Sequence, residues 1–231
     1  MPKHGKKYRA AAELIEQDKL YPFSEGVVLA KKTSTTKFDA SVEVHIVTNA
    51  DPRHADQIVR STITLPAGTG KSQRIGVFAD GPQADAAKKA GADVVGGEDL
   101  VEKVAAGEID FEVAVATPDM MKALAKVAKV LGPKGLMPSP KAGTVTPEVA
   151  KAVEELKKGK MEFRTDKAGI IHTIIGKVSF SEGDLLANLQ ALVKAINDNK
   201  PTGVKGQLIK TITLTTSMGP GIPLDTAEAS K

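Results

Sequence analysis

The sequence predicts two domains: an α+β domain built from both chain ends, interrupted by an inserted α/β domain with a parallel, Rossmann-like sheet. Two patterns carry this reading. From Arg74 onward short apolar runs alternate with Ala-rich helical stretches, as in a parallel α/β sheet, whereas the flanks hold alternating or β-branched strands and fewer helices. Charge divides in the same places. Residues 67–159 hold 13 Lys and Arg against 13 Asp and Glu, and the remainder 19 against 15, so the flanks carry the whole excess of +4. Neither flank alone supplies enough sheet for a core. They are therefore read as one domain, 1–67 plus 160–231, around an insert of 68–159.

The elements follow in order. The start, MPKHGKKYRA, has no apolar run behind its charges and meets Glu13, Glu16 and Asp18 at once, so it reads as a solvated basic tail rather than a leader or transit segment. ASVEVHIV is a strand with Val42, Val44 and Ile46 on one face and Ser41, Glu43 and His45 on the other; STITL is a second. In the insert RIGVFAD, ADVVGG and FEVAVA are strands, separated by the helices PQADAAKKAG and EDLVEKVAAG. One further helix is expected from Thr117, with Pro118 at its first position, to Gly132. Another is expected from Thr146 and Pro147, burying Val149, Val153 and Leu156. MEFRT, GIIHTIIG and QLIKTITLTTS are strands of the second flank. Between the last two, a helix capped by Ser181 runs towards Asn199 with Leu185, Leu189, Leu192 and Ile196 on one stripe. The tail PLDTAEASK is expected to fray. Gly68, Gly70 and Gly159 make the two crossings, LPAGTGK and KKGKM, candidate hinges.

Composition removes several kinds of chemistry. With no Cys there is no disulfide, thiolate metal site or cysteine nucleophile, and a reducing compartment is favoured. No stretch approaches the roughly 18 apolar residues of a membrane span, so no membrane partner and a cytoplasmic location are expected. His4, His45, His54 and His172 show no ligand spacing, so no metal and no cofactor is expected. The one enzyme-like motif, Gly68-Thr69-Gly70-Lys71-Ser72, resembles the end of a phosphate loop. The Gly that such a loop needs five positions before its Gly-Lys pair is Leu65 here, and a strand follows instead of a helix. A nucleotide-binding enzyme is thus the alternative reading, disfavoured on spacing.

The remaining signals are surface features. In the last long strand Thr211, Thr213, Thr215 and Ser217 share one face and Leu208, Ile212 and Leu214 the other. A row of hydroxyls suits ribose and phosphate, although Thr also favours strands for its own sake. Lys37 and Phe38, just before the first strand, could pair with a phosphate and pack on a sugar or base, or Phe38 could plug the sheet edge. With eight aromatics in all, an extended stacking surface is not expected. The loop from Gly132 to Gly143 holds three Pro and two Lys; it is read as stiff, basic and exposed, either facing an anion or serving as a crossover.

Several segments together, KFDASVEVHI, DPRHADQIVRSTITLPAGTGK, LGPKGLMPSPKAGTV, MEFRTDKAGIIHTIIGK and TTSMGPGI among them, resemble the bacterial large-subunit ribosomal protein L-one family over almost the whole chain. The resemblance implies the same interrupted two-domain fold and no catalysis. It implies binding to a mobile stalk of large-subunit rRNA, help in releasing deacylated exit-site tRNA, and repression of translation from the protein's own operon mRNA, by a chain that is monomeric when free. Carried over position by position, it implies an RNA-binding surface of Lys37, Phe38, Ser41, Arg164, Lys167, His172, Thr216, Ser217, Met218 and Gly219. Family members usually carry Thr where this chain has Ser217, so the hydroxyl is kept and a methyl lost. On chemistry, the three cations would meet phosphates, Thr216 and Ser217 would bond ribose and base edges, Met218 would add an adaptable apolar contact and Gly219 would allow close backbone approach.

Overall fold

The computed structural model describes residues 4–16, 18–54 and 56–230. In chain order the elements are α1 (Lys6–Ala12), α2 (Phe23–Thr33), β1 (Ser41–Thr48), β2 (Arg60–Thr64), β3 (Ile75–Phe78), α3 (Pro82–Lys89), β4 (Val94–Gly96), α4 (Glu98–Ala105), β5 (Val113–Ala116), α5 (Met121–Leu124) and α6 (Ala128–Leu131). There follow α7 (Val149–Lys157), β6 (Lys160–Arg164), β7 (Ile170–Lys177), α8 (Glu182–Asp198), β8 (Ile209–Thr216) and β9 (Ile222–Leu224). They form two compact units, Met1–Gly70 with Met161–Lys231, and Lys71–Lys160.

In the first unit an antiparallel sheet runs β7-β1-β8-β9, and β2 pairs with β6 separately. The alternation in β1 is realised: Val42, Val44 and Ile46 are fully buried, and they meet Ile171, Ile175, Ile212 and Leu214 of the neighbouring strands in one core with the stripe of α8. Ser181 caps α8 as expected, its Oγ accepting from the Asp184 amide at 3.1 Å. That helix and α2 cover one face of the sheet. The other face, carrying Glu43, His45, Val47, Ile174, His172, Thr211, Thr213 and Thr215, remains half-exposed or exposed.

The register between β1 and β7 slips between Val42 and Glu43, so that Ile175 has no partner across the ladder. Its carbonyl is taken by the fully buried Asn188 of α8, whose Nδ2 donates at 2.7 Å. The same amide group donates to the Gly68 carbonyl, and its Oδ1 accepts from the Ala67 amide, both at 3.0 Å. One side chain thereby satisfies the backbone of a bulge and of the outgoing crossing. Gly68 falls within the first compact unit, which runs to Gly70 and resumes at Met161. Gly68, Gly70 and Gly159 have φ of 72°, 70° and 97°, so these positions need glycine for left-handed turns, and Gly70 also has the Phe180 ring against it.

The second unit is a three-stranded parallel sheet in the order β4-β3-β5, with helices on both faces. Phe78, Ala114 and Ala116 pack against α4, α5 and α6, while Ile75, Val77 and Val115 pack against α3 and α7. Gly76 leaves room for Phe111, whose ring meets Phe78 edge-on at 5.7 Å. No helix follows Gly68 to Ser72; β3 begins at Ile75, which removes the phosphate-loop reading.

Five expectations are corrected. The helix expected from Thr117 to Gly132 starts at Met121 and is broken by a 3-10 turn at Ala125–Val127, where Val127 leaves helical geometry at φ −103°, ψ 6°. The helix expected at Thr146 starts at Val149, because the Thr146 hydroxyl accepts from the Glu148 amide and closes a turn first. Part of the basic start is helical, over Lys6–Ala12. The tail does not fray over Thr226–Ser230: it forms a 3-10 turn, and Glu228 Oε2 accepts from the Phe23 amide at 2.9 Å, satisfying the first turn of α2. The 132–143 loop is only partly exposed. Lys134 and Lys141 face solvent, while Leu136 and Met137 lean on the core of the second unit and Pro138 and Ala142 are buried.

Asn188→Ala would strand one amide and two carbonyls in the interior. It should destabilise the protein by about 2–4 kcal/mol in chemical denaturation, and Asn188→Asp, which has no donor for the two carbonyls, should fare no better.

Candidate nucleic-acid interface

The ten residues implied by resemblance fall into two groups. At one end of the sheet the chain before β1 and the turn after β8 are stitched together. The Ser217 amide donates to the Ser41 carbonyl at 3.1 Å and the Ser41 amide donates to Ser217 Oγ at 3.1 Å. Lys177 adds a bond to Ser41 Oγ at 3.0 Å, and the Asp39 carboxylate accepts from both the amide and the hydroxyl of Ser179. These bonds turn the Asp39 carboxylate towards Ser179 and tie the chain entering β1 to the turn after β8. Phe38 is 61% exposed and Met218 64%. Phe38 therefore does not plug the sheet edge; two large apolar groups stand in solvent on joined segments, with Lys37 alongside.

The second group, Arg164, Lys167 and His172, lies towards the other end of β7. Its row on the sheet, His172 opposite His45, is four residues along β1 from the row of Ser41 and Lys177, or roughly 13 Å at about 3.3 Å per residue. Arg164 and Lys167 are exposed. The turn that presents Lys167 is shaped by Asp166, whose Oδ1 accepts from the amides of Ala168 and Ile170 at 2.8 Å each. The Ile170 amide is the main cause holding this carboxyl below its ordinary pKa, with the Ala168 amide and His172 adding to it and desolvation opposing.

Thr216 departs from the expectation. It lies on the core face with Ile212 and Leu214, is 3% exposed, and its Oγ1 is the one buried side-chain polar atom without a partner among the described residues. A Cβ on Gly219 would strike that hydroxyl, so Gly219 is required by the packing of the turn as well as by any approach from outside. Thr216 thus offers RNA nothing in this conformation. The free hydroxyls of the strand are those of Thr211 and Thr213, because Thr215 Oγ1 already donates within the 216–220 turn.

Sequence spacing missed the contact between His45 and His172, whose Nδ1 atoms are 2.8 Å apart across the β1–β7 pair. Only the strand register brings them together. The alternation of β1 had placed His45 on the outer face, but nothing local to either residue announces the pair. Among the described residues there is no cluster of three or more potential metal ligands and no helix long and apolar enough to cross a membrane.

An antiparallel sheet built from both chain ends, with a parallel-sheet unit inserted between them, sets the class of the protein. Residues 30–220 match the model of the Ribosomal protein L1p/L10e family, and the chain belongs to that family. It is similar to proteins named "Large ribosomal subunit protein uL1": that of Thermobifida fusca is 56% identical over 232 residues, covering 99% of each chain. That of Thermosipho melanesiensis is 54% identical over 228 residues and 98% of each chain, and that of Lactobacillus delbrueckii subsp. bulgaricus 54% over 225 residues and 97% of each.

Thr216→Val keeps the shape and deletes the orphaned hydroxyl. The substitution should raise stability by about 1 kcal/mol, read as a higher denaturation midpoint with an unchanged slope; a fall would mean that the hydroxyl has a partner in solution.

Proposed function

We propose that the protein is a structural component of the large ribosomal subunit that binds an rRNA stalk through its first unit. The observation that carries this is the stitched patch of Lys37, Phe38, Ser41, Ser217 and Met218. It offers an exposed cation, two exposed apolar groups and the exposed Ser217 hydroxyl, with the buried Ser41 serving as part of the frame, which suits unstacked bases and ribose rather than a regular duplex. Arg164 and Lys167 extend the same RNA along the sheet as phosphate contacts. We place the division at the observed unit boundary, so that the first unit carries the stalk contact and the insert is not needed for it.

The second unit is neutral in sum but locally polarised, since residues 120–147 hold five Lys and no Asp or Glu. Lys122, Lys126 and Lys129 are exposed opposite the buried stripe of Met120, Leu124, Val127 and Leu131. These lysines are our choice for a phosphate contact with exit-site tRNA, whose release the protein would assist by turning about the glycine crossings. Repression of its own mRNA follows if that message offers the same RNA shape to the stitched patch. The protein would act in the cytoplasm, on the ribosome or as a free monomer, without a cofactor.

A salt titration separates the roles. Lys37→Ala should weaken stalk RNA and unrelated RNA alike and lower the salt slope by about 0.7–0.9. Ser217→Ala should keep the slope but cost about 1–3 kcal/mol on the stalk RNA alone. Equal losses on both RNAs for the serine variant would end its role in recognition. Replacing Lys122, Lys126 and Lys129 together by Ala should leave stalk affinity within about twofold, or roughly 0.4 kcal/mol, while weakening tRNA binding; loss of stalk affinity instead would return the insert to the rRNA site.

A further inference from the structure

We propose that His45 and His172 form a single proton-accepting unit on the open face of the four-stranded sheet, and that a phosphodiester settling on this face is bound with uptake of one proton. The inference rests on the RNA reading above for its ligand, but the unit itself rests on geometry. The two imidazoles meet at 63° with their Nδ1 atoms 2.8 Å apart, and the other nitrogen of His172, Nε2, lies 3.4 Å from Asp166 Oδ2.

Proton counting fixes the states. A carboxylate only accepts, so His172 carries its proton on Nε2, and its bare Nδ1 accepts from His45 Nδ1–H. In this neutral pair the one free acceptor is His45 Nε2. A proton from solvent can be taken there, or the hydrogen bond can reverse: His45 Nδ1–H passes its proton to His172, and His45 keeps the new one on Nε2. Either way the pair holds one positive charge and keeps its hydrogen bond. A second proton would set two N–H groups head to head and break it. The pair therefore accepts its first proton as one unit.

The surroundings set where the charge resides. Glu43, two residues before His45 on the same face, favours a cation at His45, whereas desolvation and then His172 hold His45 below the ordinary imidazole range. Asp166 favours the cation on His172, the more exposed ring. Arg164 ends β6 next to Thr165, which bridges Ile171, and Lys167 sits in the turn between β6 and β7; both are exposed. On β8 the residues facing the pair are Thr213 opposite His45 and Thr211 beside it, which are uncharged. A phosphate near His45 Nε2 and Thr213 would meet a hydroxyl donor and a cation created on binding. Since RNA prefers the protonated form, affinity rises as pH falls through the first step, with a slope of at most about one decade per pH unit.

Two measurements test this on the full-length protein. In the first, NMR of the imidazole C–H signals is followed in free protein from pH 8.5 to 5: His45 and His172 should move with one shared midpoint. His45→Gln should displace the His172 midpoint by at least about half a pH unit; an unchanged midpoint overturns the unit. In the second, calorimetric titration with an rRNA stalk fragment at pH 7 in two buffers of different ionisation enthalpy should show net proton uptake that vanishes in the His45→Gln/His172→Gln double variant. Uptake that persists there, or stalk binding without uptake in the wild type, overturns the phosphate role while leaving the RNA reading intact. Failure to bind the stalk fragment at any pH overturns that reading and the phosphate role together.

Discussion

Everything in the first unit depends on β1 being hydrogen-bonded along both edges by strands that come from the far side of the insert. β7 pairs with one edge and β8 with the other. With Val42, Val44 and Ile46 wholly buried between them, β1 has no stable place without the C-terminal segment. The same constraint explains why an insertion of this size is tolerated. β2 and β6 pair with each other, so the insert leaves and re-enters between adjacent strands. Closing a loop costs only about 0.6 kcal/mol more for each doubling of its length, and an insert that folds by itself removes much of that flexibility. The Asn188 clasp finishes the exit by satisfying the backbone where the chain departs.

Most of this fold is legible in the sequence because its elements are periodic. The stripe from Leu185 to Ile196, the alternation of Val42, Val44 and Ile46 and the apolar runs of β3 and β5 are decided by burial, which the pattern of residues records directly. What escapes are elements held by single contacts. α2 is entered through Pro22 with its first amide satisfied by Glu228, 205 residues away, and β9 is three residues long and adds to an edge. The tail is polar by composition, and its order up to Ser230 comes from contacts such as that of Glu228 with the Phe23 amide. Thr117 and Thr146 are good capping residues by type, but the chain spends them in turns before the helices begin.

The surface is legible in a different way. Lys37, Phe38 and Met218 stand out by chemistry and by resemblance, and their exposure agrees with a surface role. Thr216 shows the limit of carrying a residue over without its side-chain direction. One step along a strand reverses the face, so neighbouring hydroxyls at 216 and 217 have opposite environments, one entombed and one in solvent. The His45–His172 contact could be found only once strand register was known, because 127 residues separate the two rings.

The topology of β1 also bears on how the protein is made. Its last residue, Thr48, is followed by 160 residues before β8 begins at Ile209. At synthesis rates of about 5–20 residues per second that interval is roughly 8–32 seconds. Until β7 emerges both edges of this strand are open, and until β8 emerges one remains so, while the insert, local in its contacts, can fold behind it. The completed sheet is sealed only by the last strands to appear, so termination of translation after the insert but before β7 would release a folded insert attached to a sticky, unpaired strand. For this protein, clearance of truncated chains by proteolysis should matter more than its modest size suggests.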